Sequence, residues 1–131
     1  MAHKVHALHH LCEPEKLSPQ QVAYFFDDVL DIPIAEQCGV RMMVNQGTNP
    51  LFKDYILRNN LADYITAAAG GSFAVRESCE LLIGLAGNYN EVLEARVHNS
   101  DPYRQYITGR RQTAPRFFTL RDSILEIDPR K

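Results

Sequence analysis

The 131-residue chain has no tryptophan, three cysteines and no apolar run approaching the ~20 residues that a membrane-spanning helix needs. The longest apolar stretches, around LLIGLAG, are far shorter, so no membrane association is expected. Cys12, Cys38 and Cys79 are odd in number, widely spaced and form no C-x-x-C. That argues against a disulfide framework and a cysteine-based zinc site, and favours a reduced, cytoplasmic setting. The opening MAHKVHALHH holds no run long enough for a signal peptide, so no leader is expected. Neither sign of charge dominates: 14 Lys and Arg stand against 16 Asp and Glu. This balance excludes both a disordered acidic tail and a basic DNA-coating protein. Internal repeats, a Ser-His-Asp set, a Gly-rich phosphate loop and H-E-x-x-H are also missing.

The chain does have enough apolar residues, 45%, for one core at a length where one domain is the default. The small net charge conceals an asymmetry. Residues 1–95 hold six Lys/Arg and twelve Asp/Glu, whereas residues 96–131 hold eight and four. The two parts should attract each other or different partners.

Helical signals recur along the chain. Ser18-Pro19-Gln20-Gln21 has an N-cap, a first-turn proline and a glutamine at the capping-box position. Val22, Phe25, Phe26, Val29 and Leu30 then fall at i, i+3, i+4, i+7 and i+8, predicting a helix that ends before Pro33. A second helix is expected from Ile34 to about Asn45, stopped by QGTNP. A third starts at Asn49-Pro50 through LFKDYILR, continuing or restarting at Asn60 through YITAAA to Gly70-Gly71. Ser72 is positioned to cap the next, whose stripe is Val75, Cys79, Leu82, Ala86, Tyr89, Leu93 and Val97. Gly84 and Gly87-Asn88 permit a break within it. DPYRQYIT predicts a short helix, TGRRQTAP a loop, and RFFTLRDSILEID a helix rather than a strand pair. The expected fold is mainly α: a single helical domain over 1–131, a helical bundle with a His-rich segment at 1–17 and a less regular basic, aromatic region at 99–131.

Residues 25–31, FFDDVLD, place Asp27, Asp28 and Asp31 in a D-D-x-x-D pattern. The string resembles the first aspartate-rich motif of polyprenyl diphosphate synthases, in which carboxylates one turn apart hold magnesium on a diphosphate. The resemblance covers seven residues, without a second such motif or a following Arg-Arg pair, and a synthase is excluded. Solvation of the three acids, or pairing with the basic C-terminal region, is the plainer expectation.

Glu77, Glu80, Glu91 and Glu94 form two E-x-x-E pairs that loosely resemble the magnesium-holding motifs of helical nucleotide pyrophosphohydrolases. On an unbroken helix Glu80 and Glu91 would stand roughly 16 Å apart, too far to share an ion, so that reading requires a hairpin at Gly87-Asn88. A solvated acidic face is the plainer reading. His3, His6 and His10 align on one helical face beside His9 and Cys12. They are read as a surface cluster, a transition metal there being adventitious, and no cofactor is expected. IAEQCGVRMMV, residues 34–44, resembles the middle of a helix-turn-helix, but only Arg41 would be presented to DNA.

YRQYITGRRQTAPRFF alternates Arg104, Arg110, Arg111 and Arg116 with Tyr103, Tyr106, Phe117 and Phe118, with no acid among them. Arginine and aromatic residues dominate protein interface hot spots and also suit single-stranded nucleic acid. The sequence therefore predicts a non-catalytic regulatory or adaptor protein, a homo-oligomer that binds a protein partner or itself through Tyr103, Arg104, Tyr106, Arg110, Arg111, Arg116 and Phe117. The alternatives are nucleic-acid binding by the same segment and magnesium-dependent nucleotide pyrophosphate hydrolysis by the four glutamates.

Overall fold

A computed structural model of the protein describes residues 2–47, 49–114, 117–121 and 124–127. The side chains of residues 2, 3, 119–121 and 124–127 fall outside that description. The mainly α expectation is corrected, because the centre of the molecule is a three-stranded parallel sheet in the order β1-β2-β3. The strands are β1 (Ala23–Phe26), β2 (Val40–Asn45) and β3 (Tyr64–Ala69). Around them lie α1 (Ala2–Glu15), α2 (Ile32–Ala35), α3 (Pro50–Arg58), α4 (Ala74–Leu85), α5 (Tyr89–Val97) and α6 (Asp101–Gln112). A hairpin, β4 (Phe118–Arg121) with β5 (Ile124–Ile127), replaces the C-terminal helix expected in RFFTLRDSILEID.

The stretches expected as helices that form strands instead are Ala23–Phe26, Val40–Asn45 and Tyr64–Ala69. Val22, Phe25 and Phe26 satisfy a helical spacing, but they are β-branched or aromatic, and short apolar runs of such residues fit a strand equally well. The local cap signal at Ser18 is real, with the Ser18 N–H donating to Gln21 Oε1 at 3.0 Å. It starts one 3₁₀ turn, Pro19–Gln21, before the chain extends into β1. Likewise α2 lasts four residues, and the expected helix to Asn45 becomes β2. In β2 three consecutive residues, Met42, Met43 and Val44, are buried, as a central parallel strand covered on both faces requires. The helix-turn-helix reading fails at the same place. Gly39 instead admits the Gln20 carbonyl oxygen, which would lie 1.8 Å from any Cβ added there.

Register aligns Phe26 with Met43 and Met43 with Ile65, placing them on one face. There they pack with Ala35 of α2 and the fully buried Ile56 of α3. Leu8 and Cys12 of α1 extend this layer through Ile34 and Cys38. Met42 and Val44 point to the other face by alternation, where α4 lies against β2 and β3. The buried residues of α4 are Ala74 and Ser78, one position before the stripe expected from Val75 and Cys79, both of which are exposed. The break at Gly87 occurs, with a left-handed φ of 83°, and separates α4 from α5. Thus α3, α4 and α6 match expected helices, while α6 runs through the predicted loop to Gln112.

Candidate active site at the carboxyl edge of the sheet

Because the three strands are parallel, their C-terminal ends share one edge. The next residue in each case is Asp27, Gln46 or Gly70. These three meet: the Gln46 side-chain amide donates to Asp27 Oδ2, and its atoms lie 2.7 to 3.0 Å from where a Cβ on Gly70 would stand. Gly70 thereby leaves the space that Gln46 needs to reach Asp27. The Gly70 N–H donates to the Asn45 carbonyl at 3.0 Å, closing β3 against β2 at the same edge.

Asp28 follows Asp27, and both are exposed. Asp28 accepts the Leu30 N–H at 2.7 Å through Oδ1, which starts the 3₁₀ turn Val29–Asp31 and holds the carboxylate in place. Two helices also begin at this edge, as βα connections between parallel strands dictate. Asn49 caps α3 by accepting the Phe52 N–H at 3.2 Å, and α4 starts after Gly70-Gly71. Helix N-termini carry partial positive charge, so the edge combines carboxylates with dipole ends that favour anions.

Asp31 does not join them. It is buried and accepts from Lys4 Nζ at 2.5 Å and from the Tyr24 hydroxyl at 3.1 Å, tying α1 to β1. Burial, followed by the Asp31 charge, pushes the Tyr24 phenol up to about 12. The D-D-x-x-D pattern is therefore divided by the strand-to-3₁₀ turn into two edge carboxylates and one structural one. The expected pairing with the C-terminal basic region is replaced, for Asp31, by Lys4.

The four glutamates are not gathered. Glu77 accepts the Tyr64 hydroxyl at 2.5 Å and the N–H groups of Ala67 and Ala68, each at 2.8 Å. These bonds, the Tyr64 one foremost, hold its carboxyl below the usual range. Glu80 pairs with Arg76 and Glu94 with His98, each at 2.9 Å, and Glu91 is exposed on α5. His6 and His10 lie on α1 with His3, whose side chain is outside the described residues. The His10 ring meets Phe118 edge-on at 5.1 Å, and His9 bonds Gln37 at 3.0 Å. Among the described residues no group of three or more His, Cys, Asp or Glu is arranged to hold a metal ion.

The Arg/aromatic segment lies mostly on α6. Arg104 is bound to Asp101 and the Asn99 carbonyl. Tyr106, Arg110 and Arg111 are exposed, and Tyr103 is half-buried. Phe117 lies beyond the helix, and Arg116 is outside the described residues. No helix among the described residues is long and apolar enough to cross a membrane.

Sequence reasoning named Asp27 and Asp28 but missed Gln46 and Gly70, because QGTNP and Gly70-Gly71 read only as turns. The available signal was the repetition of apolar run, then turn, then helix, which marks βα units.

No family model matches the chain, and no solved structure does. Similarity to curated proteins is nevertheless clear. The chain is 39% identical over 90 residues to 3-deoxy-D-manno-octulosonate 8-phosphate phosphatase KdsC of Escherichia coli K12, covering 69% of this chain and 44% of that protein. The KdsC protein of Salmonella typhimurium matches to the same extent, and that of Yersinia pestis is 36% identical over 80 residues, covering 61% of this chain and 39% of its own. The relatives are named as enzymes, which overturns the expectation of a non-catalytic adaptor and names neither nucleic-acid binding nor nucleotide pyrophosphate hydrolysis. The chain spans less than half the length of these curated relatives, and what it resembles over that span is a sugar-acid phosphate phosphatase.

Proposed function

We propose that the carboxyl edge of the sheet is the carboxylate-bearing part of a phosphomonoesterase site, and that its substrate is the phosphate ester of a 3-deoxy sugar acid, as the relatives' name states. The observation that carries this reading is the convergence of Asp27, Gln46 and Gly70 at three adjacent strand ends. Ligands of open parallel sheets bind outside that edge.

Charge dictates what else the site needs. Two like charges 4 Å apart repel by about 1 kcal/mol in bulk water and about 4 kcal/mol at an effective dielectric of 20. A phosphate ester beside Asp27 and Asp28 is therefore unfavourable, and helix N-termini of about half a charge each do not offset it. A divalent cation does. The donor set fits magnesium, which typically takes one or two carboxylates and completes its shell with water and substrate phosphate oxygens. Asp27 and Asp28 would hold it, through the oxygens that Gln46 and Leu30 leave unengaged. When bound, the ion supplies the positive charge that lets a phosphate approach and polarises its oxygens. Gln46 orients the Asp27 carboxylate, and the Leu30 N–H orients that of Asp28.

The test is titration of the chain with 3-deoxy-D-manno-octulosonate 8-phosphate by calorimetry, with and without magnesium, alongside measurement of released inorganic phosphate. Ester binding that requires magnesium and is lost in Asp27→Asn and Asp28→Asn is expected. Binding that is absent, or indifferent to magnesium and to both substitutions, would overturn the reading.

A further inference from the structure

Among the described residues four that are not glycine take a left-handed backbone: Lys16 at a φ of 53°, Asn60 at 50°, Asn99 at 46° and Phe73 at 69°. The first three lie just beyond the ends of α1, α3 and α5, where a left-handed residue is an ordinary way to stop a helix. Phe73 instead precedes a helix, at the N-cap position of α4, and its side chain makes no capping hydrogen bond. For a bulky side chain this conformation is a strained outlier. Packing does not offset the strain, since Phe73 is 77% exposed.

The backbone on either side holds the ring there. The Ser72 N–H donates to the Ala69 carbonyl and the Glu77 N–H to the Phe73 carbonyl, each at 2.9 Å. Ala74, the next residue, is buried. The Glu77 carboxylate in turn binds the N–H groups of Ala67 and Ala68 in β3. Phe73 follows Gly70 by three residues, so its Cα lies within roughly 11 Å of that of Gly70, the residue that meets Gln46 at the carboxyl edge. An exposed aromatic ring is thus presented from a fixed backbone at the rim of that edge. Strained residues over-determined by their surroundings cluster at ligand sites, and a ring on a rigid support loses little freedom on binding.

The phosphate ester of a 3-deoxy sugar acid has a part that matches such a ring. Carbon 3 is a methylene several bonds from the phosphate, and it forms no hydrogen bond. Aromatic faces pack against apolar surface of this kind and gain nothing from a hydroxyl in its place. We propose that Phe73 is a specificity-determining residue of the site, its ring packing against the deoxygenated part of the sugar acid while the phosphate lies at the carboxyl edge. This rests on the phosphomonoesterase reading and adds to it the group that selects the sugar.

Calorimetry of the full chain in magnesium tests it with three probes: 3-deoxy-D-manno-octulosonate 8-phosphate, glucose 6-phosphate and inorganic phosphate. The wild type should prefer the deoxy ester. Phe73→Gly should weaken that ester by about tenfold, the scale of a methylene contact in an apolar pocket, and leave inorganic phosphate unchanged. The preference over glucose 6-phosphate should fall with it, and Phe73→Tyr, which keeps the ring, should bind as the wild type does. Thermal melting separates this from a structural role. Glycine adopts a φ of 69° without strain, so Phe73→Gly should melt no lower than the wild type. The proposal is overturned by a wild type without the preference, by unchanged ester affinity in Phe73→Gly, by a loss shared equally with either other probe, or by a fall in melting temperature. In each of these cases magnesium-dependent ester binding by the wild type leaves the phosphomonoesterase reading in place, whereas a wild type that binds no ester overturns both.

Discussion

The sheet and its covering helices, residues 23–85, contrast with the α5–α6 pair, residues 89–112. In the first, Met42, Met43, Ile56, Thr66 and Ser78 are essentially inaccessible, and side-chain bonds cross between elements. The Asn45 N–H, for example, donates to Thr66 Oγ1 at 2.9 Å where the β2–β3 register shifts. In the second, no residue is buried, and the side-chain bonds among the described residues stay within one helix or its cap, such as Thr108 to the Arg104 carbonyl at 2.9 Å. Density of cross-element contacts decides how strongly a region is coupled to global stability. Asp27 and Asp28 sit at the edge of the first region, beside its buried core.

The contrast breaks most severely at Ile56. Truncation to alanine empties a side chain that contacts both the sheet and α2, and should cost about 2–5 kcal/mol in urea denaturation. A loss below about 1 kcal/mol would mean that the core collapses around the gap and is less tightly packed than its burial implies.

A smaller effect is expected at Glu77, and it depends on pH. Its folded carboxyl lies below its ordinary value of 4.5, so the unfolded chain binds the proton more tightly and acid favours unfolding. The stabilisation is present above about pH 4.5 and is lost as pH falls through the depressed folded value. Glu77→Gln should lower the melting temperature at pH 7 and shrink the difference from wild type as pH falls below 4. A difference constant across pH would remove the carboxylate's charge from the account.

The smallest global effect is expected at the cap of α6. Ser100 accepts the Tyr103 N–H, and Ser100→Ala should cost that helix about 1 kcal/mol. Hydrogen exchange should quicken in residues 101–112, with little change in the amides of β2. Equal acceleration in both would show that α6 unfolds with the sheet and that the two regions are one cooperative unit.

Where signals are local, the sequence was legible. The start of α3 at Asn49-Pro50 and the break at Gly87 each act within a few residues, and the structure has them, whereas the N-cap position of α4 is Phe73 in place of the expected Ser72. The candidate site was legible as far as Asp27 and Asp28. Asp31, three positions on, reads as their equal but turns inward to Lys4 and Tyr24, a distinction made by contacts 27 and 7 residues away.

The sequence by itself determined the helices α3 to α6, the start of α3 at Asn49-Pro50, and the adjacent carboxylates. Only the tertiary structure decided that Ala23 to Phe26, Val40 to Asn45 and Tyr64 to Ala69 are strands, because a strand's hydrogen bonds lie on other segments whereas a helix carries its own. The same reason hid Gln46 and Gly70. Their role exists only when three parallel strands end side by side, bringing residues 27, 46 and 70 to one point.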